Sequence, residues 1–169
     1  MNNSTQPISH LNPPLQFTLR VYGILIDSNN RILVSDEYIR GGYFTKFPGG
    51  GLEFGEGTRD CLIREFKEET NLNVTIGKHI YTTDIFQISA FNSRQQIISI
   101  YYYVHTDEPI MLPTKSTRFD FAPHQIADPQ GQAEVCRWIA LTDLTEASVD
   151  LPLDKIVVGM LKEQAMVTD

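Results

Sequence analysis

The stretch Gly49–Leu72, GGGLEFGEGTRDCLIREFKEETNL, decides how the rest of the chain is read. Its second half has helical spacing, and Glu65, Glu68 and Glu69 fall on it. At about 100° per residue, Glu68 lies about 60° to one side of Glu65 and Glu69 about 40° to the other. The three carboxylates therefore share one narrow face, where like charges repel. Arg64 precedes Glu68 by one helical turn and relieves part of that repulsion. Leu62, Ile63 and Phe66 form an adjoining apolar stripe, so the acidic face borders the buried one. Crowded carboxylates beside a core suggest a counter-charge. An E-x-x-E-E helix taken alone also suits a solvated acidic face, and it is the glycine cluster, the separate Glu56 and the Arg64 spacing that favour the former. Mg²⁺ and Mn²⁺ suit oxygen-only ligands and also bind phosphates. Glu56 lies just before the helix, and Gly50 lets a backbone carbonyl approach a metal without side-chain obstruction.

Outward from this stretch the chain reads as strands and turns. LQFTLRVYGILI (Leu15–Ile26) and RILVS (Arg31–Ser35) are strand-like, and Asp27-Ser28-Asn29-Asn30 between them predicts a hairpin. Tyr43–Phe47 predicts a short strand in an otherwise loop-like run, DEYIRGGYFTKFPGG. Exposed aromatics there, Tyr43 and Phe44, suit stacking on a nucleobase, and packing in the core suits them equally. Asn73–Ile76 predicts a short strand. His79–Ala90 and Gln96–His105 predict a second hairpin around Phe91–Gln95. In its second arm Ile98, Ile100, Tyr102 and Val104 share one face. Ser99, Tyr101, Tyr103 and His105 share the other, which either lines a cleft or forms a half-exposed sheet surface. Residues 106–132 carry four prolines and no clear period, the mark of a functional or disordered loop. Glu134–Leu141 predicts a last strand, and Leu153–Met166 a closing helix.

The 169 residues suffice for one domain with a real core, and 41% hydrophobic with 21% charged residues is a globular composition. We expect residues 1–14 to be a loose arm and 15–169 a single domain. A net charge of −7 argues against nucleic acid as a partner and for a divalent cation wherever phosphates are handled. Cys61 and Cys136 have no metal-ligand spacing and read as buried free thiols. The polar start, MNNSTQPISH, carries no signal-peptide core, and no apolar run spans a membrane. A cytoplasmic protein without membrane partners is expected. A homodimer is compatible with the sequence.

The Gly49–Leu72 stretch resembles the Nudix box, G-x5-E-x7-R-E-U-x-E-E-x-G-U, where U is a bulky aliphatic residue. Gly50, Glu56, Arg64-Glu65, Glu68-Glu69 and Leu72 stand at its fixed positions. Two positions depart from it. Phe66 is aromatic where an aliphatic residue is usual. Asn71 replaces the closing glycine, and Asn is the next-best residue for the left-handed conformation that ends a helix. Phe47-Pro48-Gly49 and Glu134–Leu144, with Trp138, extend the resemblance to about residues 15–166.

The resemblance implies an α/β/α sandwich with a mixed, curved sheet. It implies Mg²⁺- or Mn²⁺-dependent hydrolysis of a nucleoside diphosphate linked to another moiety. The metal set would be Gly50, Glu56, Glu65, Glu68 and Glu69. Glu65, Glu68 and Arg64 would be the catalytic group, with Arg64 orienting a helix carboxylate. The general base would be Glu65 or a downstream acid, for which Asp120, Asp128 and Glu134 are candidates. Substrate contacts are expected from Tyr43, Phe44, Tyr101, Tyr103 and Glu134. The usual proline of ADP-ribose hydrolases is missing, since that region reads Phe86-Gln87-Ile88. The tyrosine of dinucleoside polyphosphate hydrolases is missing too. (Deoxy)nucleoside triphosphates, nucleotide sugars or another nucleotide remain as substrates. The alternative is a nucleotide-binding sensor of the same fold, without catalysis. An isoprenoid diphosphate isomerase would need a catalytic cysteine that neither Cys61 nor Cys136 matches.

Overall fold

The computed structural model describes residues 15–167. The expected arm at 1–14 lies outside them. Among the described residues, eight strands form two four-stranded sheets. In the first, β4 (Gly49–Gly51), β1 (Gln16–Leu25), β6 (Gln95–His105) and β5 (Thr75–Thr82) lie side by side in that order. In the second the order is β3 (Gly42–Lys46), β2 (Arg31–Ile39), β8 (Gln132–Ala140) and β7 (Thr114–Lys115). Strands β1 and β6 pair in parallel, as do β7 and β8, and the other pairs are antiparallel. Helix α1 spans Thr58–Thr70 and helix α2 spans Pro152–Val167.

The helices pack on opposite sides. Leu62 and Phe66 of α1 join Val21, Leu25, Leu33, Tyr102 and Val104 in one core. Leu153, Val157, Val158 and Leu161 of α2 join Tyr22, Ile24, Ile32, Val34 and Tyr101 in the other. Alternate residues of β1 and β2 thus feed different cores. That explains why these strands read as continuous apolar runs rather than alternating ones. The result is the α/β/α sandwich with mixed sheets that the resemblance implies. Cys61 and Cys136 are buried free thiols in the α1-side core. Burial pushes both up to about 12. No described helix is long and apolar enough to cross a membrane.

Three local expectations need correction. The first two strands are not a hairpin. β1 and β2 belong to different sheets and share only the bridge Ile26–Ile32. Asp27 shapes the turn between them by accepting the Asn29 and Arg31 amides at 3.0 and 2.9 Å. Second, the run after Ser35 is not mainly loop. β2 continues to Ile39 and turns at Arg40 and Gly41, whose φ values are 49° and 84°, into β3. Third, the second predicted hairpin is a wide loop. Asn73–Ile76 and the start of His79–Ala90 merge into the single strand β5, which ends at Thr82. Residues 83–94 then leave the ladder, keeping one bridge between Ile88 and Gln96.

Candidate active site

The acidic site starts from how α1 is seated. Gly23 on β1 lets the Phe66 ring lie directly on the strand: a Cβ at Gly23 would be 2.5 Å from Phe66 Cε2. That contact fixes the rotation of α1, so Glu65 and Glu69 turn toward β4. Gly50 completes the fit. A Cβ there would fall 2.5 Å from the Glu65 carboxyl, so only glycine lets that carboxylate lie against the strand. At the other end, Asn71 adopts φ 58°, the left-handed conformation its substitution for glycine requires, and its amide donates to the Lys67 carbonyl.

Arg64 gathers one group of carboxylates. Its Nη2 lies 2.7 Å and its Nε 3.1 Å from the two oxygens of Glu56. Its Nη1 reaches Glu65 at 2.8 Å and Glu68 at 3.4 Å. Nη2 also donates to the Gly51 carbonyl at 3.0 Å. Hydrogen bonding to Arg64 holds Glu56 down to about 2. The principal partner of Arg64 is thus Glu56 rather than Glu68. The Glu68 side chain is 59% exposed, against 14% for Glu65, so the three helix carboxylates differ sharply in burial.

A second group forms around Lys46. Its ammonium donates to the Gly49 carbonyl at 2.9 Å and lies 3.0 Å from Glu37 and 3.5 Å from Glu69. The other Glu69 oxygen accepts the Gly49 amide at 3.0 Å. Carboxylate oxygens of Glu37, Glu69 and Glu134 lie within 4.8 Å of one another. Ser35 donates to Glu134. Burial is the main cause that raises Glu69 to about 7, with the Glu134 charge adding to it against the pull of Lys46. Glu134 is raised too, again chiefly by burial. Burial opposes the charge on Lys46, yet Glu69 and Glu37 more than offset it and its pKa is raised. The donors in both groups are all oxygens, and each group sets three carboxylates against one side-chain cation. A hard divalent cation fits such a set.

Of the three candidate downstream bases, only Glu134 joins this cluster. Asp120 pairs with Lys115 at 3.3 Å, and Asp128 accepts the Gln130 amide at 2.9 Å within its own loop. Glu37 and Lys46 went unrecognised in the sequence. The signal was the alternation of β2 with β3, which places Ser35, Glu37 and Ile39 on one face and Asp36 and Tyr38 on the other.

A cavity of about 380 Å³ opens beside the Lys46 cluster, and Glu37 and Lys46 belong to its wall. Strands β1 and β6 contribute Arg20, Tyr22, Ser99 and Tyr101. Among the expected substrate contacts, Phe44 and Tyr101 line this cavity. Phe44 stands at its rim, edge-on to Phe91 at 5.2 Å. Tyr101 is fully buried, and its hydroxyl donates to Asp154 Oδ1 at 2.6 Å. Burial raises Asp154 to about 6. Tyr43 and Tyr103 are not brought to the cavity. The Tyr43 ring packs 5.3 Å from Tyr38 and 5.4 Å from Phe119, and the Tyr103 hydroxyl donates to Gln164 of α2 at 2.7 Å. Arg20 was missed: its Nε donates to Tyr22 Oη at 2.6 Å, and its side chain lines the cavity.

A mixed-sheet sandwich that presents a glutamate-bearing helix against a glycine strand, beside a cavity, defines a class of α/β proteins. The model of the NUDIX domain family matches residues 16–157, and the chain belongs to this family. One curated relative is an 8-oxo-dGTP diphosphatase of Proteus vulgaris, 34% identical over 55 residues. That stretch is 31% of this chain, and it spans about half (49%) of the relative. Among solved structures, a MutT protein from Methanosarcina mazei Go1 superposes with a TM-score of 0.61 at 14% identity, covering 92% of this chain and 98% of that one. A UDP-X diphosphatase gives 0.57 at 17% identity, covering 97% and 68%. At these identities the structural likeness supports the fold.

Proposed function

We propose that the protein hydrolyses the diphosphate linkage of a nucleoside diphosphate joined to another moiety, a nucleoside triphosphate or a nucleotide sugar, with Mg²⁺ or Mn²⁺. The observation that carries this reading is the shared wall: Glu37 and Lys46 line the cavity and also touch or approach the Glu69 and Glu134 carboxylates. A nucleoside in the cavity would therefore extend its phosphates toward the acidic helix. The curated relative's name, an 8-oxo-dGTP diphosphatase, is consistent with a nucleoside triphosphate.

Glu65, Glu68, Glu69 and Glu56 would hold metal with the Gly50 carbonyl. Bound there, the metal neutralises phosphate charge and makes a bound water more acidic. Arg64 keeps Glu56 and Glu65 at fixed positions through its hydrogen bonds. Glu65 or Glu134 takes the proton from the attacking water. Both side chains are only partly exposed, and burial raises the Glu134 carboxyl, which favours its taking a proton. In the cavity Phe44 offers a ring to the base, and Arg20 offers donors to its edge.

The test is a screen for phosphate and pyrophosphate release over nucleoside triphosphates and nucleotide sugars with each metal. Glu69→Gln, which retains the Gly49 contact but loses the charge, should lower turnover at least a hundredfold. Undiminished turnover in that variant would sink the site assignment. Nucleotide binding without turnover by the wild type would favour a sensor.

A further inference from the structure

The second carboxylate group lies largely outside the box. Glu37 comes from β2, Glu134 from β8 and only Glu69 from α1. Three half-buried carboxylates this close would normally require a bound cation or protonation. Lys46 stands in that place. Its side chain is only 4% exposed, and its ammonium is hydrogen-bonded or ion-paired to Gly49, Glu37 and Glu69. The ring of Tyr22 lies 5.7 Å away on another side. With these partners the three ammonium donors are engaged, so the side chain is held rather than free.

We propose that Lys46 is a built-in cation of the active site. It is a positioning residue that holds Glu69 beside β4 and takes the place a divalent ion would otherwise take among Glu37, Glu69 and Glu134. One strand residue thereby fixes one oxygen of Glu69, while the Gly49 amide fixes the other. Glu69 arrives at the box with a set orientation before any metal binds. A lysine serves here because an ammonium is a compact point charge with three rotatable donors, which meet the Gly49 carbonyl, Glu37 and Glu69 together.

The inference rests on the reading that Mn²⁺ or Mg²⁺ binds the box carboxylates, and metal binding by the wild type tests that reading first. Mn²⁺ bound per chain is counted by electron paramagnetic resonance and titration calorimetry for the wild type, Lys46→Met and Lys46→Met/Glu37→Gln. Lys46→Met should bind one more Mn²⁺ than the wild type, and the double variant should return to the wild-type number. In turnover, Lys46→Met should lose at least tenfold in kcat with less than a threefold change in KM. If Lys46→Met fails to fold in low salt, added Mn²⁺ or the Glu37→Gln change should restore folding. Wild-type Mn²⁺ number and kcat in a folded Lys46→Met protein would overturn the proposal, and so would failure of both restorations. Absence of Mn²⁺ binding by the wild type with a gained site in Lys46→Met would reject the metal-dependent reading and keep the role of Lys46.

Discussion

Gly23→Ala perturbs the contact that seats α1. The added Cβ would lie 2.5 Å from Phe66 Cε2, 2.6 Å from Val104 Cγ2 and 2.9 Å from Phe66 Cζ. Carbon pairs rest at roughly 3.5–4.0 Å, so helix and strand must part by about 1 Å or Phe66 must leave its rotamer. Neither neighbour can swing into solvent, because Phe66 is fully buried and Val104 nearly so. Overpacking of this kind costs about 1–3 kcal/mol, and two simultaneous clashes place this case at about 2–3. For a chain of this size that lowers Tm by about 5–10 °C. Urea unfolding followed by circular dichroism and by the single tryptophan, Trp138, measures it. Phe66→Leu in the Gly23→Ala background should return at least about 1 kcal/mol relative to additivity, because the two residues touch. A loss below about 0.5 kcal/mol, or strict additivity with Phe66→Leu, would refute the seating argument. Turnover should fall as well, since Glu65 is adjacent to Phe66 and moves with it.

Gly50→Ala makes a useful contrast. Its Cβ would also meet atoms at 2.5 Å, but they belong to the Glu65 carboxyl, the free end of a flexible side chain. Stability should change by less than about 1 kcal/mol while kcat falls at least tenfold, as thermal melts and nucleotide turnover would report. Asp154→Asn tests the buried acid under the cavity. Because its folded pKa is raised, from 3.8 to about 6, its contribution to stability is fully present below about pH 4 and is lost as pH rises toward about 6. The stability difference between wild type and Asp154→Asn should therefore shift by about 3 kcal/mol in the variant's favour between these limits, and stay flat above. A pH-independent difference in urea titrations would contradict it.

The box was legible because its spacing is set by one helix. Residues at i, i+3 and i+4 share a face whatever surrounds them. Phe66 and Asn71 were legible for the same reason: both act locally, one on the buried stripe and one at the helix end. The partners of that face were harder to see. Glu37, Lys46 and Glu134 come from three strands, and only the β2–β3 register and the β2–β8 register bring them together. Reading Asp36–Gly42 as loop removed the continuation of β2 that puts Glu37 on the same face as Lys46 of the neighbouring strand. Tyr43 and Phe44 show the cost of one residue in a strand: neighbours in sequence, they point to opposite sides, and only Phe44 faces the cavity. The sheet exchange at Asp27–Arg31 was hidden because turn residues announce a reversal and carry no information about which sheet the next strand joins.

The seam between the two sheets runs through this site. Between Lys46 on β3 and Gly49 on β4 only Phe47 and Pro48 intervene, yet the two strands belong to different sheets. Glu65 and Glu69 ride with one sheet and Glu37 and Glu134 with the other. A ligand gripped by both sets acts as a rivet between two plates. Mechanical load or heating that shears the plates would disturb the carboxylate spacing before it melted either layer, so activity should be lost ahead of secondary structure.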